Sequence, residues 1–321
     1  MAILPDNRTL SAPLAGISDP VYCSWALRYG AGLVFSGMVC AEGIRRRSAK
    51  TLALLDFPEN IRPLGIQLFD DDPSAVFEAA QYVEGLGVDL IDINLGCPAK
   101  KVFRKGAGVQ LMGDPKAAEA VVKAAVSAVS IPVSAKIRTG INDAEAFREV
   151  IPRLADAGAT FITLHARTRK QALSGSADWS KIAEAVEISP VPIVGNGDVA
   201  SADGALSMIR ETGCAAVMIG RGSLGNPWVF AEVSGALTGG EIPLPPSDEQ
   251  RLSACARYVA ELGDFYGDDR AGKIARKHVG WFTKGMADAR KIRAKAYSMD
   301  KASEIVEFLS NFQTEKEQHA G

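Results

Sequence analysis

Eight short apolar runs that alternate with segments of helical periodicity constrain the fold of this 321-residue chain more than any other feature. Two of the runs, VDLIDINLG and AAVMIGRG, are almost continuously apolar, as expected of strands buried on both faces of a parallel sheet. The intervening segments, such as 115–129 and 143–157, have the spacing of amphipathic helices. The predicted strands are residues 11–15, 33–36, 64–68, 89–94, 133–137, 161–165, 192–195 and 216–219. This pattern predicts an α/β fold, a (β/α)8 or TIM barrel, although an open, doubly wound sheet would show the same alternation.

The sequence changes character after the eighth run. Residues 238–247, TGGEIPLPPS, are rich in Gly and Pro and predict a linker. From residue 248 the pattern is helical through LSACARYVAELGDFYG, RAGKIARKHVGWFTKGM and SEIVEFLSNFQ. We therefore predict two domains, a barrel over residues 1–240 and a small, all-helical C-terminal domain over residues 248–321.

Composition argues against several classes of protein. No apolar run approaches the roughly 20 residues of a membrane-spanning helix, and the N-terminal sequence MAILPDNR lacks the regions of a signal peptide. Five cysteines without C-x-x-C spacing argue against a disulfide framework or a zinc ribbon, and no cluster has metal-ligand spacing. We expect a cytoplasmic monomer without a metal or a membrane contact.

Basic residues are concentrated near the C-terminus. The chain as a whole has a formal net charge of −2, yet residues 270–301 hold ten Lys or Arg and only two Asp. Such a basic window on an otherwise acidic chain indicates a polyanionic partner. A solvated helix face would give the same pattern, so the window alone does not decide between them.

Polar side chains are predicted at the carboxyl ends of nearly all the strands, where (β/α)8 enzymes carry their active sites. A scaffold that needed only stability would not require them, so their convergence predicts a functional pocket. They are Gln67, Asn94, Lys136, Arg138, His165, Arg167, Asn196, Asp198 and Arg221.

The last two strands are followed by glycine-rich loops, Gly195-Asn196-Gly197 and Gly220-Arg221-Gly222. Barrels often bind phosphate at this place through loop amides and the N-terminus of a short helix. Arg221 would add a fork of donors, although tight turns that merely need glycine would also fit. We interpret the two loops as a phosphate site.

Several of these side chains suit the recognition of a planar ring. Gln67 and Asn94 can each bind a ring edge that offers both a donor and an acceptor, or they can cap loops. Lys136 would be a fixed charge or a Schiff-base lysine, with a structural ion pair as the alternative. His165, near Arg167, fits a wall that faces an anion or a substrate better than it fits a core histidine.

Cys97 is the strongest candidate for the reactive residue. It lies between Gly96, which allows a close approach, and Pro98, which restricts the turn. The cations that follow it would lower the pKa of the thiol or contact a polyanion, and an inert buried cysteine fits Cys214 better. These cations are Lys100, Lys101, Arg104 and Lys105.

Eight segments together resemble the tRNA-dihydrouridine synthase family, and the similarity is greatest to its bacterial B-type branch. The segments are APLAGISDP, GIQLF, DLIDINLGCPAKKVFRKGAG, SAKIRTG, ITLHARTR, IVGNGD, VMIGRGSLGNPWVF and RKHVGWF. The resemblance covers residues 9–312, and DINLGCPAKKV is its most specific part. It implies an FMN-containing barrel followed by a helical domain, which uses NADPH to reduce uridine in tRNA to 5,6-dihydrouridine.

The resemblance also implies a role for individual residues, with Cys97 as the general acid. The implied FMN contacts are Pro13, Leu14, Ala15, Gln67, Asn94, Lys136, His165, Asn196, Gly197, Asp198, Gly220 and Arg221. The expected contacts to uridine or to tRNA phosphates are Arg138, Arg167, Lys100, Lys101, Arg104, Lys105, Lys273, Arg276 and Lys277. Leu14 stands where the family more often has Met, and the two side chains are similar in size. The segment Gly106-Ala107-Gly108 is variable in the family.

The implied mechanism begins with reduction of FMN by NADPH. The target uridine would leave its stack, accept a hydride at C6 from the flavin and a proton at C5 from Cys97. No base accompanies Cys97 in the sequence, which fits a proton donor better than a nucleophile or a metal ligand. Because neighbouring cations would weaken the thiol as an acid, we expect the four cations that follow it to face tRNA phosphates instead.

Three other classes of protein share parts of the pattern. A flavin barrel acting on a small molecule, like dihydroorotate dehydrogenase or old yellow enzyme, shares the phosphate loops and Lys136 but needs no basic window. A non-redox phosphate-binding isomerase needs paired carboxylates at the strand ends, where the pattern offers Asp198. A non-catalytic RNA-binding module needs none of the strand-end residues. The choice of uridine and of NADPH over NADH stays open, because no dinucleotide fingerprint is present.

Overall fold

The computed structural model describes the backbone of residues 4–320 and the side chains of residues 4–312. Within this part of the chain, one sheet contains nine strands that pair in parallel. The strands are β1 (Thr9–Ser11), β2 (Val34–Phe35), β3 (Val39–Cys40), β4 (Leu64–Phe69), β5 (Leu90–Leu95), β6 (Val133–Arg138), β7 (Ile162–His165), β8 (Ile193–Asn196) and β9 (Ala216–Ile219).

The sheet closes on itself as a barrel. Its order is β1-β9-β8-β7-β6-β5-β4-β2, and Leu10 of β1 forms a parallel bridge to Leu33, which directly precedes β2. The amide of Ser11 donates to the carbonyl of Leu33 at 2.9 Å. Both β2 and β3 pair with β4 and together occupy one position, so the barrel has eight positions. The prediction of a (β/α)8 barrel is confirmed, and the open, doubly wound alternative is excluded.

The first strand differs from its prediction. We expected residues 11–15, whereas β1 ends at Ser11 and the next residues form a loop. Pro13 has no amide hydrogen to continue a ladder. The amide of Leu14 donates to Ser18 Oγ at 2.9 Å, and the amide of Ile17 donates back to the carbonyl of Leu14. The APLAG segment therefore belongs to the mouth of the barrel and not to its wall.

Helices follow the strands and cover the outside of the barrel. They are α1 (Pro20–Arg28), α2 (Ala41–Arg45), α3 (Ala49–Leu52), α4 (Pro73–Glu84), α5 (Lys100–Phe103), α6 (Pro115–Ala128), α7 (Phe147–Asp156), α8 (Ser180–Ile188), α9 (Ala202–Thr212) and α10 (Val229–Thr238). Three of them begin with Asp-Pro, where the carboxylates of Asp19, Asp72 and Asp114 accept from amides of the first turn. Such a cap stabilises a helix by about 1 kcal/mol, and proline is well suited to the first helical position.

Apolar side chains fill one layer of the barrel interior. Leu10, Phe35, Leu90 and Phe161 are buried together, and each is at most 3% exposed. Gly65 makes room for the ring of Phe35, because a Cβ there would lie 2.7 Å from two of its atoms. Polar side chains of the interior, beginning with Asp92 and Ser134, lie on the carboxyl side of this packed layer.

The chain divides into two compact units, Met1–Gly222 with Phe230–Ile242, and Ser223–Val229 with Pro243–Gly321. The second unit is helical and contains α11 (Asp248–Tyr266), α12 (Asp268–Phe282), α13 (Ala289–Tyr297) and α14 (Ala302–Ala320). The domains predicted for 1–240 and 248–321 include residues 1–3 and 321, which lie outside the described residues. The helix α13 was not among the helical segments predicted from the sequence.

Two sequence features explain how the second unit begins and packs. A capping box at Ser247 and Gln250 starts α11, since each side chain binds the backbone amide of the other residue. Gly225, with φ +67, lies so close to α12 that a Cβ would be 2.3 Å from the carbonyl carbon of Trp281. This contact explains why the short segment 223–229 is part of the helical unit. Among the described residues, no helix is both long enough and apolar enough to cross a bilayer.

Candidate functional site

The polar side chains at the carboxyl ends of β5 to β8 meet at one end of the barrel. The sheet register places Asn94 beside Lys136, Arg138 beside His165, and His165 beside Asn196. Residues that pair in this way point to the same face of a sheet, which here is the inside of the barrel. The structure therefore brings these five residues together, although they come from four separate segments of the chain.

A continuous chain of hydrogen bonds runs from the barrel interior to the loop after β5. Ser134 Oγ donates to Asp92 Oδ1 at 2.6 Å, and Gln67 Nε2 donates to Asp92 Oδ2 at 2.7 Å. Asn94 Nδ2 donates to Gln67 Oε1 at 2.7 Å, and the amide of Cys97 donates to Asn94 Oδ1 at 2.8 Å. The four side chains are buried, so the loss of any one of these hydrogen bonds would leave a buried polar group unsatisfied.

Asp92 is a site residue that our reading of the sequence missed. It is fully buried, and burial raises its pKa to about 6 against the opposing hydrogen bonds from Gln67 and Ser134 and the charge of Lys136. A signal for it exists in the sequence. An acidic residue inside an apolar run, two positions before Asn94, points to the same face of the strand and requires a buried partner.

The turn that carries Cys97 is held on several sides. The carbonyl of Cys97 accepts from the amide of Val109 at 3.2 Å, and Arg138 Nε donates to the carbonyl of Gly96 at 3.0 Å. Gly108, with φ +63, packs directly on the turn, and a Cβ there would lie 3.2 Å from Cys97 Cβ. Only glycine fits both this conformation and this space, so the loop after the turn folds back tightly over it.

The thiol of Cys97 is partly buried, and its environment favours the protonated form. Burial raises its pKa, while a hydrogen bond with the amide of Ala99 and the charge of Arg138 act in the opposite direction. The cations that follow Cys97 in the sequence are exposed and are not among the groups that shift this pKa. They are Lys100, Lys101, Arg104 and Lys105 on α5 and directly after it.

Lys136 carries its ammonium group into the mouth of the barrel. Its Nζ donates to Asn196 Oδ1 at 2.9 Å, and Asn196 Nδ2 donates to the carbonyl of Met218 at 2.7 Å, which sets the orientation of the amide. Burial and the charge of Arg138 lower the pKa of Lys136 to about 7, against the opposing charge of Asp92. An anion bound next to this ammonium group would reverse the shift.

His165 is neutral at physiological pH. Burial lowers its pKa to about 2, and the charges of four cations act in the same direction. These cations are Lys136, Arg138, Arg167 and Arg221. Because four positive groups act on one imidazole, the electrostatic potential in the mouth of the barrel favours the binding of an anion.

Asp198 is the acidic partner at this end of the barrel. Arg167 Nη2 binds both of its oxygens at 2.9 and 2.7 Å, Arg221 Nη2 donates to it at 3.0 Å, and the amide of Ala177 donates at 2.7 Å. Burial acts to raise its pKa, but these hydrogen bonds and charges prevail and lower it. Asp198 has φ +61 and follows Gly197 with φ +127, so this turn is tightly constrained.

Arg167 has its donors committed within the protein. Its side chain is 1% exposed, and Nε donates to the carbonyl of Ser174 while Nη2 donates to the carbonyl of Gly175. Nη1 lies 3.3 Å from His165 Nε2. These contacts support the loop after β7, and a contact of Arg167 to the uridine or its phosphates stays a prediction.

The loops after β1, β8 and β9 adjoin each other. A Cβ at Gly222 would lie 2.6 Å from a carbonyl oxygen of the loop after β8, and a Cβ at Gly220 would lie 3.8 Å from Leu14 Cδ2. Pro13 and Leu14 are partly buried and Ala15 is exposed. The three loops thus form one side of the mouth, and a short 3-10 helix, Arg221–Ser223, begins there.

The loop after β7 is fastened to its neighbours by arginines. Arg138 Nη1 donates to the carbonyls of Thr168 and Ala172 at 2.9 and 2.8 Å. Arg169 lies over the ring of Phe103 at 3.7 Å from its centroid, which links this loop to α5. Arg138 therefore contacts both the turn of Cys97 and the loop after β7, a double role that its position in the sequence did not reveal.

The helical unit, considered by itself, carries the basic window. On α12, Lys273 is exposed and Lys277 is partly buried. Arg276 Nη2 donates to the carbonyl of Met299 at 3.0 Å and to Asp300 Oδ1 at 2.7 Å, so it supports the packing of this unit. Further exposed cations that we had not selected are Arg290, Lys291 and Lys295 on α13.

The strand ends offer amides, guanidinium groups, one ammonium group, one imidazole and one thiol. In the described part of the chain, no group of three or more His, Cys, Asp or Glu residues could hold a metal ion. A set of this kind can bind an anion, orient a planar ring through hydrogen bonds and donate a proton.

Comparison with protein families gives one match that spans nearly the whole chain. The family model described as dihydrouridine synthase (Dus) matches residues 10–317. The tRNA-dihydrouridine synthase B of Xanthomonas axonopodis pv. citri (strain 306) is 38% identical over 288 residues, which cover 89% of this chain and 87% of that relative. The tRNA-dihydrouridine synthase B of Pseudomonas aeruginosa is 38% identical over 291 residues, with 90% and 87% covered.

A comparison with solved structures shows the fold. Histamine dehydrogenase from Rhizobium sp. 4-9 matches with a TM-score of 0.55 at 16% identity, over 82% of this chain and 49% of the other. The chain thus spans about half the length of that enzyme. At so low an identity the likeness concerns the architecture of the barrel.

Proposed function

This chain belongs to the dihydrouridine synthase family, and we propose that it reduces uridines of tRNA to 5,6-dihydrouridine with bound FMN and with NADPH as the reductant. The observation that carries the proposal is the partly buried thiol of Cys97, whose amide is held by Asn94 at 2.8 Å in a mouth lined by cations. The reduction of a carbon–carbon double bond requires a hydride and a proton, and this site offers a proton donor beside a place where an anionic flavin that supplies the hydride would bind.

The donor set at the strand ends fits FMN. Lys136 donates one hydrogen bond to Asn196, and its ammonium group has two more N–H donors. Thr163 pairs with Lys136 in the sheet, and its buried hydroxyl oxygen has no hydrogen-bond partner within the described chain. Bound FMN would supply the hydride for C6 of uridine. We propose that it is held by Pro13, Leu14, Ala15, Gln67, Asn94, Lys136, His165, Asn196, Gly197, Gly220 and Arg221.

The side chain of Asp198 has a different role in this proposal. Its carboxylate binds Arg167 and Arg221, and a carboxylate would repel the phosphate. We therefore assign Asp198 to the orientation of Arg221, whose side chain is 48% exposed and can turn its remaining donors to the phosphate. The neutral imidazole of His165 can donate to the cofactor without adding charge.

Cys97 suits the role of proton donor to C5 of uridine. Because burial raises the pKa of its thiol, the group keeps its proton at neutral pH. Once the proton has moved to C5, the charge of Arg138 would stabilise the thiolate that remains, since it acts on the same sulfur. A proton from water would then restore the thiol. The hydride and this proton together saturate the C5–C6 bond.

The exposed cations support tRNA as the substrate, because a small-molecule flavin enzyme does not need them. The barrel presents Lys100, Lys101, Arg104 and Lys105, and the helical unit presents Lys273 with Arg290, Lys291 and Lys295. Such groups bind a phosphate backbone without regard to sequence. The target uridine would have to leave its stack to reach Cys97. In this proposal the unit that contains residues 1–222 is catalytic and the helical unit binds tRNA.

Replacing Cys97 by alanine tests the function directly. We expect Cys97→Ala to keep the yellow colour and the reduction of its flavin by NADPH, and to lose dihydrouridine formation by about a hundredfold or more, since general acid catalysis is removed. The substrate is tRNA that lacks the modification, and mass spectrometry measures the dihydrouridine formed in it after the reaction. The matched control is Cys40→Ala, which removes the other partly buried cysteine.

Two results would contradict the proposal. A colourless native protein that binds no flavin would exclude the redox reaction. Full dihydrouridine formation by Cys97→Ala would exclude Cys97 as the acid, while the family assignment would stand.

A further inference from the structure

The chain of hydrogen bonds that starts at Asp92 has a defined direction. A carboxylate only accepts hydrogen bonds, so Gln67 must present its NH2 group to Asp92 and its carbonyl oxygen to Asn94. Asn94 must then present its NH2 group to Gln67, which leaves its oxygen for the amide of Cys97 at 2.8 Å. Each amide is therefore oriented by the group before it, and Asp92 orients the first.

We propose that Asp92 is a positioning residue that acts through Gln67 and Asn94 to hold the turn of Cys97 and so the position of its thiol. Asp92 is 0% exposed and lies inside the barrel, where its two carboxylate oxygens accept from Gln67 Nε2 and Ser134 Oγ. Its second bond, from Ser134 Oγ at 2.6 Å, does not lead towards Cys97. The two hydrogen bonds of one carboxylate thus have separable effects.

The chemistry of the chain predicts which substitutions preserve it. Asparagine at position 92 keeps an oxygen for Gln67 if its NH2 group faces Ser134, whose hydroxyl can rotate to accept. Alanine at position 92 leaves the NH2 group of Gln67 without its acceptor. The amide of Gln67 is then free to turn, and the amide of Asn94, which Gln67 orients, is no longer held in one orientation. The presence of an acceptor oxygen at position 92, and not the negative charge, should therefore decide whether the turn of Cys97 stays in place.

The experiment measures the alkylation of Cys97 by iodoacetamide in the purified full-length protein, with mass spectrometry of each cysteine peptide. Cys40 is the internal reference, because these two are the cysteines that are not buried. Global loosening of the barrel would increase labelling at Cys40 and at the buried Cys23 and Cys214 as well. A change at Cys97 relative to Cys40 reports the turn alone.

We expect Asp92→Ala to increase the ratio of Cys97 to Cys40 labelling by about fivefold or more, because one of the bonds that hold the turn is lost. Asp92→Asn should stay within about twofold of the native ratio. The control Ser134→Ala removes the other hydrogen bond of the same carboxylate and should also stay near the native ratio. If Asp92→Ala does not fold, Gln67→Met breaks the chain one link later and should give the same selective increase.

An unchanged ratio in Asp92→Ala and Gln67→Met, or an equal increase at every cysteine, would overturn the inference. Labelling of Asp92→Asn that matches that of Asp92→Ala would also overturn it, because an acceptor oxygen at position 92 would then not be enough to orient Gln67.

The inference rests on the proposed function in so far as Cys97 matters as the proton donor. In rates measured over a range of tRNA concentrations, Asp92→Ala should lower kcat for dihydrouridine formation by about tenfold, with less effect on KM. Labelling does not depend on turnover, so a native protein that forms no dihydrouridine would refute the function and leave the positioning of Cys97 to be decided separately.

Discussion

At the scale of single residues, burial shifts the pKa of four titratable groups near the strand ends. It raises the pKa of Asp92 to about 6 and that of the Cys97 thiol, and it lowers the pKa of Lys136 to about 7 and that of His165 to about 2. Each shift favours the neutral form. The protein maintains these groups at a cost in stability, which is what a site prepared for an anionic ligand is expected to show.

Asp92→Asn should stabilise the protein above pH 6. The folded protein binds a proton at Asp92 more tightly than the unfolded chain does, because its pKa is raised from 3.8 to about 6. The contribution of Asp92 to stability is therefore fully present below pH 4 and is lost as the pH rises to about 6. Above pH 6 the ionised carboxylate lowers the free energy of unfolding by about 1–3 kcal/mol relative to low pH. Asparagine does not ionise and avoids this cost.

Urea unfolding of Asp92→Asn and of the native protein at pH 4.5 and pH 7.5 measures the effect. The difference in the free energy of unfolding should be larger at the higher pH. The matched control is Asp56→Asn at an exposed carboxylate. A difference that is the same at both pH values would show that Asp92 is not perturbed.

At the scale of elements, the loops after β5 and β7 are joined through one guanidinium group. Arg138 donates to the carbonyl of Gly96 at 3.0 Å in the turn of Cys97, and to the carbonyls of Thr168 and Ala172 in the loop after β7. Leu173, at the tip of that loop, is 50% exposed. A rigid fork of donors can serve partners in different directions at once, whereas a lysine presents its donors at a single point.

Arg138→Lys should loosen the loop of residues 168–178 while it keeps the charge. We expect hydrogen exchange in this segment to increase by about tenfold and dihydrouridine formation to fall by a similar factor, since roughly one to two hydrogen bonds are lost. The control is Arg153→Lys, which alters a surface ion pair with Glu119. Unchanged exchange in residues 168–178 would show that the loop is held by other contacts.

At the scale of the whole molecule, the charges are unevenly distributed along the chain. The net charge is −2, although residues 270–301 carry ten cations and two acids. Two of these cations have structural roles, because Arg276 binds Asp300 and Arg293 donates to the carbonyl of Gly280. The exposed remainder, including Lys273 and Lys295, is available to a polyanion.

Lys273→Gln combined with Lys295→Gln should weaken tRNA binding and its dependence on salt. Each phosphate contact that is lost reduces the slope of log K against log salt by roughly 0.7 to 0.9, so a decrease of about 1.5 is expected for both. Filter binding at several salt concentrations measures the slope. The control makes the same charge change on the barrel, with Lys116→Gln and Lys123→Gln on α6. An equal decrease of the salt slope in this control would mean that the effect comes from net charge.

Much of the fold was predictable because it depends on local pattern. Apolar runs predicted the barrel strands, and Asp-Pro pairs mark the starts of α1, α4 and α6. The first strand was misplaced because the apolar residues of APLAG resemble a strand, while Pro13 and the turn at Leu14 end the ladder at Ser11. The helix α13 was missed because its basic residues leave few apolar positions, with Ile292 and Ala296 as its buried residues.

The sequence by itself determined the barrel class, the helical C-terminal unit and the membership of a family, since these follow from periodicity and from motifs that are contiguous in the chain. Only the tertiary structure decided how the site residues are partnered. Lys136 meets Asn196 across 60 residues, and Gln67 meets Asp92 across 25. Such partners are chosen when the barrel closes, because burial requires each polar group to find a complement that local sequence does not specify.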